Sequence, residues 1–254
     1  ARRIWMPEVP EELFMAALRQ LIDLDRAWVP EGENASLYVR PFIFATDEYI
    51  GLKPSETYRF LMFTCPVGSY YSEPVKINVE TRYTRAAKGG TGFAKVAGNY
   101  AGAMYPARLA QQQGFHQLLW TDGAEHRFVE EAGTMNVLFV IDGKLVSIPP
   151  GDSILPGITR KSLLQLARDR GITVEERPVE VAEVVEAIES GRLTEMFGAG
   201  TAATVAHIAL MHCNGVDYQL PDIAGREISN RLLKKLRGIQ KGIEKDRHNW
   251  LVKI

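Results

Sequence analysis

A glycine-rich segment at residues 88–103 constrains the fold of this chain more than any other feature. It holds five glycines in sixteen residues, with Lys95 among them. Glycine costs about 0.5–1 kcal/mol inside regular structure, so such a run is typical of backbone that turns sharply or approaches a ligand closely. Strand-forming residues dominate before the segment, whereas short strands alternate with helices after it. The segment therefore separates two parts of different character.

These two parts predict an α+β protein with two domains. At roughly 100–200 residues per domain, 254 residues suit one large domain or two modest ones. We expect residues 1–75 to be the remainder of a small N-terminal α/β domain, 76–87 a linker, and 88–254 a larger C-terminal domain. The small domain is expected to be incomplete, because the chain begins almost directly with a helix.

The hydrophobic pattern predicts the main helices and strands. Helices are expected at residues 11–26, 104–113, 160–170, 181–190 and 226–246. Strands are expected at residues 36–45, 57–71 and 75–86 and in the segments HQLLWTDG, FVEEAG and MNVLFVIDGKLVSIPP. The segment RLTEMFGAGTAATVAHIALM is expected to form a strand, a glycine turn and a second strand.

Composition excludes several classes of function. The 30 basic and 31 acidic residues leave a net charge of −1, which argues against a general nucleic-acid binder. Apolar runs are far shorter than the ~18 residues of a membrane span. Two cysteines, Cys65 and Cys213, cannot make a disulfide framework or a four-ligand zinc site. We therefore expect a cytoplasmic enzyme with no bound metal and no nucleic-acid or membrane partner.

Lys95 is the first candidate for chemistry. It lies in KVAGNY, among the glycines and five residues before Tyr100. A lysine held in an apolar pocket can act as a Schiff-base nucleophile. A solvated lysine on a flexible loop fits the same letters, and composition alone favours it.

Two adjacent carboxylates, Glu130 and Glu131, are the second candidate. They lie in FVEEAGTMN, between an apolar strand and a glycine turn. A carboxylate that points inward here needs a cationic partner or a protonated ring nitrogen. A pair of solvated edge-strand glutamates fits the sequence equally well.

Three further segments could bind anions. ILPGITR, residues 154–160, places free N–H groups at a helix start, and FGAGTAAT, residues 197–204, offers a tight turn with a hydroxyl. Neither matches the P-loop or the dinucleotide-binding glycine pattern, which tells against nucleotide binding. Arg40, in LYVRP, could hold a carboxylate in a fork. Plain turns and a surface arginine are the simpler alternatives.

Six segments of the chain, taken in order, resemble the branched-chain amino acid aminotransferases of the fold-type IV pyridoxal-phosphate class. They are LYVRP, CPVGSYY, KVAGNYA, EEAGTMN, ILPGITR and FGAGTAA. The resemblance covers essentially the whole chain, although that family has a further N-terminal stretch before the point where this chain begins. It implies the two-domain fold of D-amino acid aminotransferase-like enzymes, pyridoxal 5′-phosphate as cofactor, and a homodimer. It also implies transfer of the amino group of L-leucine, L-isoleucine or L-valine to 2-oxoglutarate.

The resemblance implies a role for each matching residue. Lys95 would form the internal aldimine and shuttle a proton, Tyr100 would bind the cofactor's phenolic oxygen, and Glu131, rather than Glu130, would pair with its ring nitrogen. The phosphate would be bound by N–H groups of Ile158 and Thr159, the Thr201 hydroxyl and Arg85. The substrate would meet main-chain N–H groups of Thr134 and Ala202, and the side chains of Tyr38, Arg40 and Tyr70.

Two other interpretations remain open from the sequence. A D-amino acid aminotransferase or an aminodeoxychorismate lyase of the same fold would use the same lysine and glutamate with a different substrate pocket. A catalytically inactive binding protein could keep the fold, although it would have no need for Lys95 and Glu131.

Overall fold

The computed structural model describes residues 1–32, 35–68, 71 and 73–254. The chain divides into two compact units, Ala1–Tyr70 with Val252–Ile254, and Tyr71–Leu251. Each unit contains both helices and strands, so the α+β class expected from the sequence is confirmed.

The first unit consists of a helix and a β-hairpin. Helix α1, Glu11–Leu24, packs on the antiparallel pair β1, Ser36–Ala45, and β2, Tyr58–Val67. Phe14 and Phe60 meet across this contact, with ring centroids 6.0 Å apart. Two short 3₁₀ helices, Arg2–Ile4 and Arg26–Trp28, flank α1. Along most of β2, partly buried and exposed residues alternate, as the period of a half-buried strand requires.

The second unit is built around a nine-stranded sheet that closes on itself. Its strands and helices are β3 (Val75–Val79), α2 (Ala97–Gln112), β4 (Gln117–Thr121), β5 (Val129–Ala132), β6 (Met135–Ile141), β7 (Lys144–Ser147), α3 (Ile158–Arg168), β8 (Val174–Glu176), α4 (Val181–Glu189), β9 (Leu193–Gly200), β10 (Thr204–Cys213), β11 (Val216–Gln219) and α5 (Glu227–Gln240). Pairing runs from β10 through β3, β4, β5 and β6 to β9, which returns to β10. This ring leaves its members few open edges, as in a barrel.

Both faces of the ring are buried, which explains the unbroken apolar run of β6. Val137 and Phe139 point into one core cluster, whereas Leu138 and Val140 point into a second cluster with residues of α3 and α5. Successive side chains of a strand alternate between faces, so a strand covered on both sides reads as continuously hydrophobic.

The structure corrects the expected bounds of two helices. Helix α2 begins at Ala97, not Met104, because the Asn99 side chain ties its first turn to the preceding loop despite the glycines there. Helix α5 ends at Gln240, not 246. Beyond it Gly242 adopts φ +69°, and the N–H groups of Ile243 and Glu244 turn back to the Gly238 carbonyl.

The structure also shortens two strands and moves a turn. Strand β2 ends at Val67 rather than 71, and β3 ends at Val79 rather than 86, so the expected linker at 76–87 starts with residues of β3. Gly198 and Gly200 belong to β9, and the turn lies at residues 201–203. An added Cβ would lie 2.6 Å from Met135 Cε at Gly198 and 3.1 Å from Met135 Cγ at Gly200. Close packing between β9 and β6 is thus what these glycines serve.

The described residues contain neither a membrane-spanning helix nor a cluster of metal ligands. No helix among them has the length and apolar character that crossing a bilayer demands. No group of three or more His, Cys, Asp or Glu side chains suited to a metal ion occurs in the described ranges.

Candidate active site

The glycine-rich segment forms a loop that leads directly into α2. Its backbone is anchored to residue 152, because Gly89 N–H donates to Asp152 Oδ2 at 2.9 Å and Phe93 N–H to the Asp152 carbonyl at 3.0 Å. Gly92 permits this approach: a Cβ there would lie 2.5 Å from Ser153 Cα. At this position the glycine serves close packing between two loops.

Asn99 fixes the turn that carries Lys95. Its amide nitrogen donates to the carbonyls of Thr91 and Ala94, both at 2.8 Å, and its oxygen accepts from the Thr91 hydroxyl at 2.8 Å. The side chain is buried, so these bonds replace its contacts with water. Lys95 therefore projects from a backbone held on both sides, two residues before α2 begins.

One pocket brings five of the predicted site residues together. Arg85, Lys95, Tyr100, Glu131 and Thr134 all line it. The remaining lining residues are Gly92, Ala94, Asn99, Ala103, Gly133 and Leu155. Pockets that combine a few convergent polar groups with apolar walls are the usual sites of ligand binding.

Glu131 is the buried acid of this pocket. It is 3% exposed. Its Oε1 accepts from Leu155 N–H at 2.9 Å and Asn136 Nδ2 at 3.3 Å, while Oε2 lies 3.2 Å from Arg85 Nη2. A carboxylate has about four acceptor positions, so one remains for a further donor. Burial raises the pKa of Glu131 to about 7, although Arg85 and the Leu155 N–H lower it.

Glu130 occupies a different environment from its neighbour. It does not line the pocket, and its Oε1 accepts from the Ser153 hydroxyl. Burial raises its pKa too, against the lowering effects of Ser153 and Arg85. The structure thus distinguishes the two adjacent carboxylates, and Glu131 is the one that faces the pocket.

A tight turn between β5 and β6 presents Thr134. Gly133 has φ +59°, and a Cβ there would lie 2.2 Å from Gln117 Oε1. The Trp120 indole N–H donates to the Gly133 carbonyl at 3.0 Å, and Gly133 N–H donates to the Leu118 carbonyl at 2.7 Å. The turn is therefore fixed on both sides and requires glycine.

Helix α3 starts beside Glu131. Gly157 is its N-cap and supplies no side-chain cap, so the N–H groups of Ile158 and Thr159 have no partner within the helix. Such a helix start favours an anion. Asn136 connects it to the pocket, because its amide nitrogen donates both to the Leu155 carbonyl at 2.9 Å and to Glu131.

The turn that carries Thr201 and Ala202 follows β9 on the same ring of strands. Strand register places Glu131 opposite Asn136, and Asn136 opposite Ala199. Ala199 is therefore level with Glu131 on the ring of strands, and Thr201 comes two residues after Ala199. Both Thr201 and Ala202 are exposed in this turn.

The remaining predicted substrate residues belong to the first unit or are not described. Tyr38 and Arg40 lie on β1, where the Arg40 guanidinium lies 5.0 Å from the centre of the Tyr38 ring. Tyr70 lies outside the described residues. Neither Tyr38 nor Arg40 is among the pocket-lining residues named above.

Sequence reasoning missed three residues that position the site. Asn136 lies in the motif EEAGTMN but had no assigned role, and its place opposite Glu131 on a hairpin could have suggested one. Asn99 lies in KVAGNY, within one turn of Lys95. Ser153 contacts both Arg85 and Glu130, and nothing in its own sequence context indicates this.

The family model described as amino-transferase class IV matches residues 1–209. The chain belongs to this family. Two curated relatives from Bacillus subtilis are named branched-chain-amino-acid transaminase 1 and branched-chain-amino-acid aminotransferase 2. They are 43% and 41% identical, each over 99% of this chain and over 72% and 70% of their own lengths. A Mycobacterium tuberculosis branched-chain-amino-acid aminotransferase is 41% identical over the whole of this chain and 71% of its own length.

Solved structures agree with this class IV assignment. The Escherichia coli branched-chain amino acid aminotransferase matches with a TM-score of 0.81 and 25% identity, over 99% of this chain and 79% of that one. The enzyme of Thermoproteus uzoniensis, solved with norvaline, matches with a TM-score of 0.80 and 25% identity, over 97% and 76%. The fold-type IV architecture expected from the sequence is confirmed.

Class IV aminotransferases use pyridoxal 5′-phosphate, and the residues present here fit it. The cofactor requires an amine for its aldehyde, an acidic partner for its ring nitrogen and N–H donors for its phosphate. Lys95 and Glu131 line one pocket, Glu131 retains an open acceptor position, and Asn136 links it to the uncapped start of α3. The donor set therefore matches each part of the cofactor.

Proposed function

We propose that this chain is a branched-chain-amino-acid aminotransferase. It transfers the amino group of L-leucine, L-isoleucine or L-valine to 2-oxoglutarate, giving branched-chain 2-oxo acids and L-glutamate. The observation that carries this proposal is the shared pocket of Lys95 and Glu131 in a chain whose curated relatives, at 41–43% identity, bear that enzyme's name.

Each pocket residue has a distinct task in this proposal. The bound cofactor supplies an electron sink for the substrate's Cα. Lys95 bonds to the cofactor and moves the proton at substrate Cα, while Tyr100 donates to the cofactor's phenolic oxygen. Glu131 holds a proton on the ring nitrogen. Phosphate is bound by Ile158 N–H, Thr159 N–H and the Thr201 hydroxyl.

The substrate residues complete the proposal. Main-chain N–H groups of Thr134 and Ala202 bind the α-carboxylate. The side chain meets Tyr38, Arg40 and Tyr70, which provide an apolar wall with one guanidinium at its rim. Leucine uses the wall, whereas the γ-carboxylate of glutamate pairs with Arg40. One pocket can thus accept both kinds of substrate.

Absorbance of the purified chain with pyridoxal phosphate tests the reaction. We expect a cofactor band that is lost on addition of L-leucine and restored by 2-oxoglutarate. Lys95→Ala should lose the covalently bound band, whereas Lys88→Ala, an exposed lysine of the same loop, should keep it. A response to D-alanine alone would assign the chain to the D-amino acid aminotransferases, and absence of any band would refute the cofactor role of Lys95.

A pair of hairpin variants tests the role of Arg40. Arg40→Ala should raise the KM for glutamate and 2-oxoglutarate far more than that for leucine. Arg59→Ala is the matched control, since Arg59 is an exposed arginine on the neighbouring strand of the same hairpin. Equal losses for glutamate and leucine would contradict the assignment.

The assembly and location are proposals of the same kind. We infer a homodimer, which exposed apolar side chains of the first unit support, among them Phe63, Ile50 and Leu52. Analytical ultracentrifugation tests it, and a monomer at micromolar concentration would contradict it. We also infer a cytoplasmic location, because both Cys65 and Cys213 are free, as thiols are in reducing compartments; cell fractionation tests this.

A further inference from the structure

A buried ion pair joins the pocket carboxylate to Arg85. Arg85 Nη2 lies 3.2 Å from Glu131 Oε2, and the two side chains are only 9% and 4% exposed. Charges so far from water interact more strongly than they do at a surface. A buried carboxylate that loses its cationic partner binds a proton instead. The charge on Glu131 therefore depends on this pair.

Arg85 is itself held by residues outside the pocket. Its guanidinium donates to the Ser153 carbonyl, and the Ser153 hydroxyl donates to Glu130. Arg85 Nε is buried and has no hydrogen-bond partner among the described residues. A guanidinium placed for stability alone would be expected to satisfy its donors, so an orphaned one at the edge of a site suggests a functional role.

The charged groups around Glu131 are few. Arg85 and Lys95 favour its ionised form, whereas Glu130, the next residue of β5, disfavours it. Asp122 acts in turn on Glu130. Tyr100 lines the same pocket, and Asn136 and the Leu155 N–H are neutral donors to the carboxylate. Arg85 is the only one of the cations in direct contact with Glu131 among the described residues.

We propose that Arg85 is a positioning residue that keeps Glu131 ionised and aimed into the pocket before the cofactor binds, with Ser153 and Glu130 holding Arg85 in place. The inference rests on the proposed function, because it concerns the carboxylate assigned to the cofactor's ring nitrogen. It gives the two adjacent glutamates different tasks: Glu131 meets the cofactor, and Glu130 acts through Ser153 and Arg85.

If Arg85 keeps Glu131 ionised, its removal changes the number of protons taken up when the ring nitrogen binds, and not the reaction rate alone. Once the ring nitrogen is bound, it shares one proton with Glu131 whether or not Arg85 is present. With its pKa near 7, Glu131 of the natural chain is mostly ionised at pH 8. Loss of the Arg85 charge raises this pKa further, so more of the free carboxyl holds a proton. Binding to an Arg85 variant therefore takes up fewer protons from solution, and the difference approaches one per site.

Isothermal titration calorimetry at pH 8, in Tris and in HEPES, measures this count from the dependence of the heat on buffer ionisation. The probe is 4′-deoxypyridoxine 5′-phosphate, which lacks the aldehyde and so forms no bond to Lys95. Arg85→Met should take up at least about half a proton less than the natural chain. Arg85→Lys keeps the charge and should give the natural count. Arg82→Met, an exposed arginine three residues earlier, is the matched control.

Glu130→Gln provides a second test if Arg85→Met does not fold. The glutamine oxygen can still accept from the Ser153 hydroxyl, so Arg85 keeps its support. Loss of the neighbouring negative charge leaves Glu131 more fully ionised, so at pH 7 this variant should take up more protons than the natural chain, the opposite sign. Any one of three outcomes would overturn the inference alone. These are an unchanged proton count in Arg85→Met, an unchanged count in Glu130→Gln, and equal counts in Arg85→Lys and Arg85→Met. Failure of the natural chain to bind the probe would overturn the proposed function and this inference with it.

Discussion

Gly157→Ala should disrupt the candidate site through a single methyl group. Gly157 has φ −64°, which alanine adopts without strain, so the backbone does not oppose the change. The added Cβ would nevertheless lie 2.1 Å from Asn136 Oδ1, well inside van der Waals contact. Asn136 must therefore move, and it is the side chain that bonds both Glu131 and the Leu155 carbonyl.

The expected cost follows from those two hydrogen bonds. A buried polar group left without its partner costs about 1–3 kcal/mol. Replacing glycine by alanine stabilises by about 0.4–1 kcal/mol through the unfolded chain, which offsets part of this loss. The net loss of unfolding free energy should be about 1–2 kcal/mol, measured by urea denaturation of the cofactor-free chain. Gly151→Ala is the control, because Gly151 lies in the same loop and a Cβ there would meet nothing within 4 Å.

A double-mutant cycle decides whether Asn136 is the cause. In an Asn136→Ala background the obstruction is gone, so Gly157→Ala should cost almost nothing there. The coupling energy should be at least about 1 kcal/mol, within the range found for contacting residues. If Gly157→Ala costs the same in both backgrounds, or no more than Gly151→Ala, the connection from α3 to Glu131 through Asn136 is refuted.

Three further predictions concern the same unit. Burial raises the pKa of Glu131 to about 7, so the folded chain binds this proton more tightly than the unfolded chain does. The resulting stabilisation is complete below the usual carboxyl range and is lost as pH rises through 7, so the free energy of unfolding of the cofactor-free chain should fall by about 3 kcal/mol. Glu131→Gln should abolish this pH dependence in melting curves. Burial alone would raise the pKa of Asp122, but four backbone N–H donors hold it below its usual range. Asp122→Ala should therefore lower the free energy of unfolding by about 2–3 kcal/mol near pH 7, and this difference from the natural chain should disappear in acid. An equal loss at pH 2 would contradict the prediction. Gly133→Ala should destabilise the chain by at least about 1 kcal/mol more than Gly143→Ala, because both have positive φ but only Gly133 has Gln117 in the way; equal costs in urea would remove the steric argument.

Local sequence signals were sufficient for most elements. Strand β1 has the predicted bounds, 36–45, because alternating β-branched and aromatic residues are a local property. Helix α2 could not be placed in this way, since its first turn contains Gly98, a poor helix former, and is held by Asn99. The closure of the sheet, in which β9 pairs with both β6 and β10, depends on residues far apart in the chain and has no local signal.

The candidate site shows the same division between local and distant causes. Lys95, Tyr100, Glu131 and Thr134 belong to compact motifs, and the structure places all four in one pocket. The resemblance implies that Arg85 binds the phosphate, yet its side chain contacts Glu131 and Ser153, and Ser153 lies 68 residues away along the chain. A motif identifies the groups that touch a ligand, whereas the groups that set their charge are chosen by the fold. The assignment of Arg85 therefore depends on a proton count, which separates a partner of the phosphate from a partner of the carboxylate.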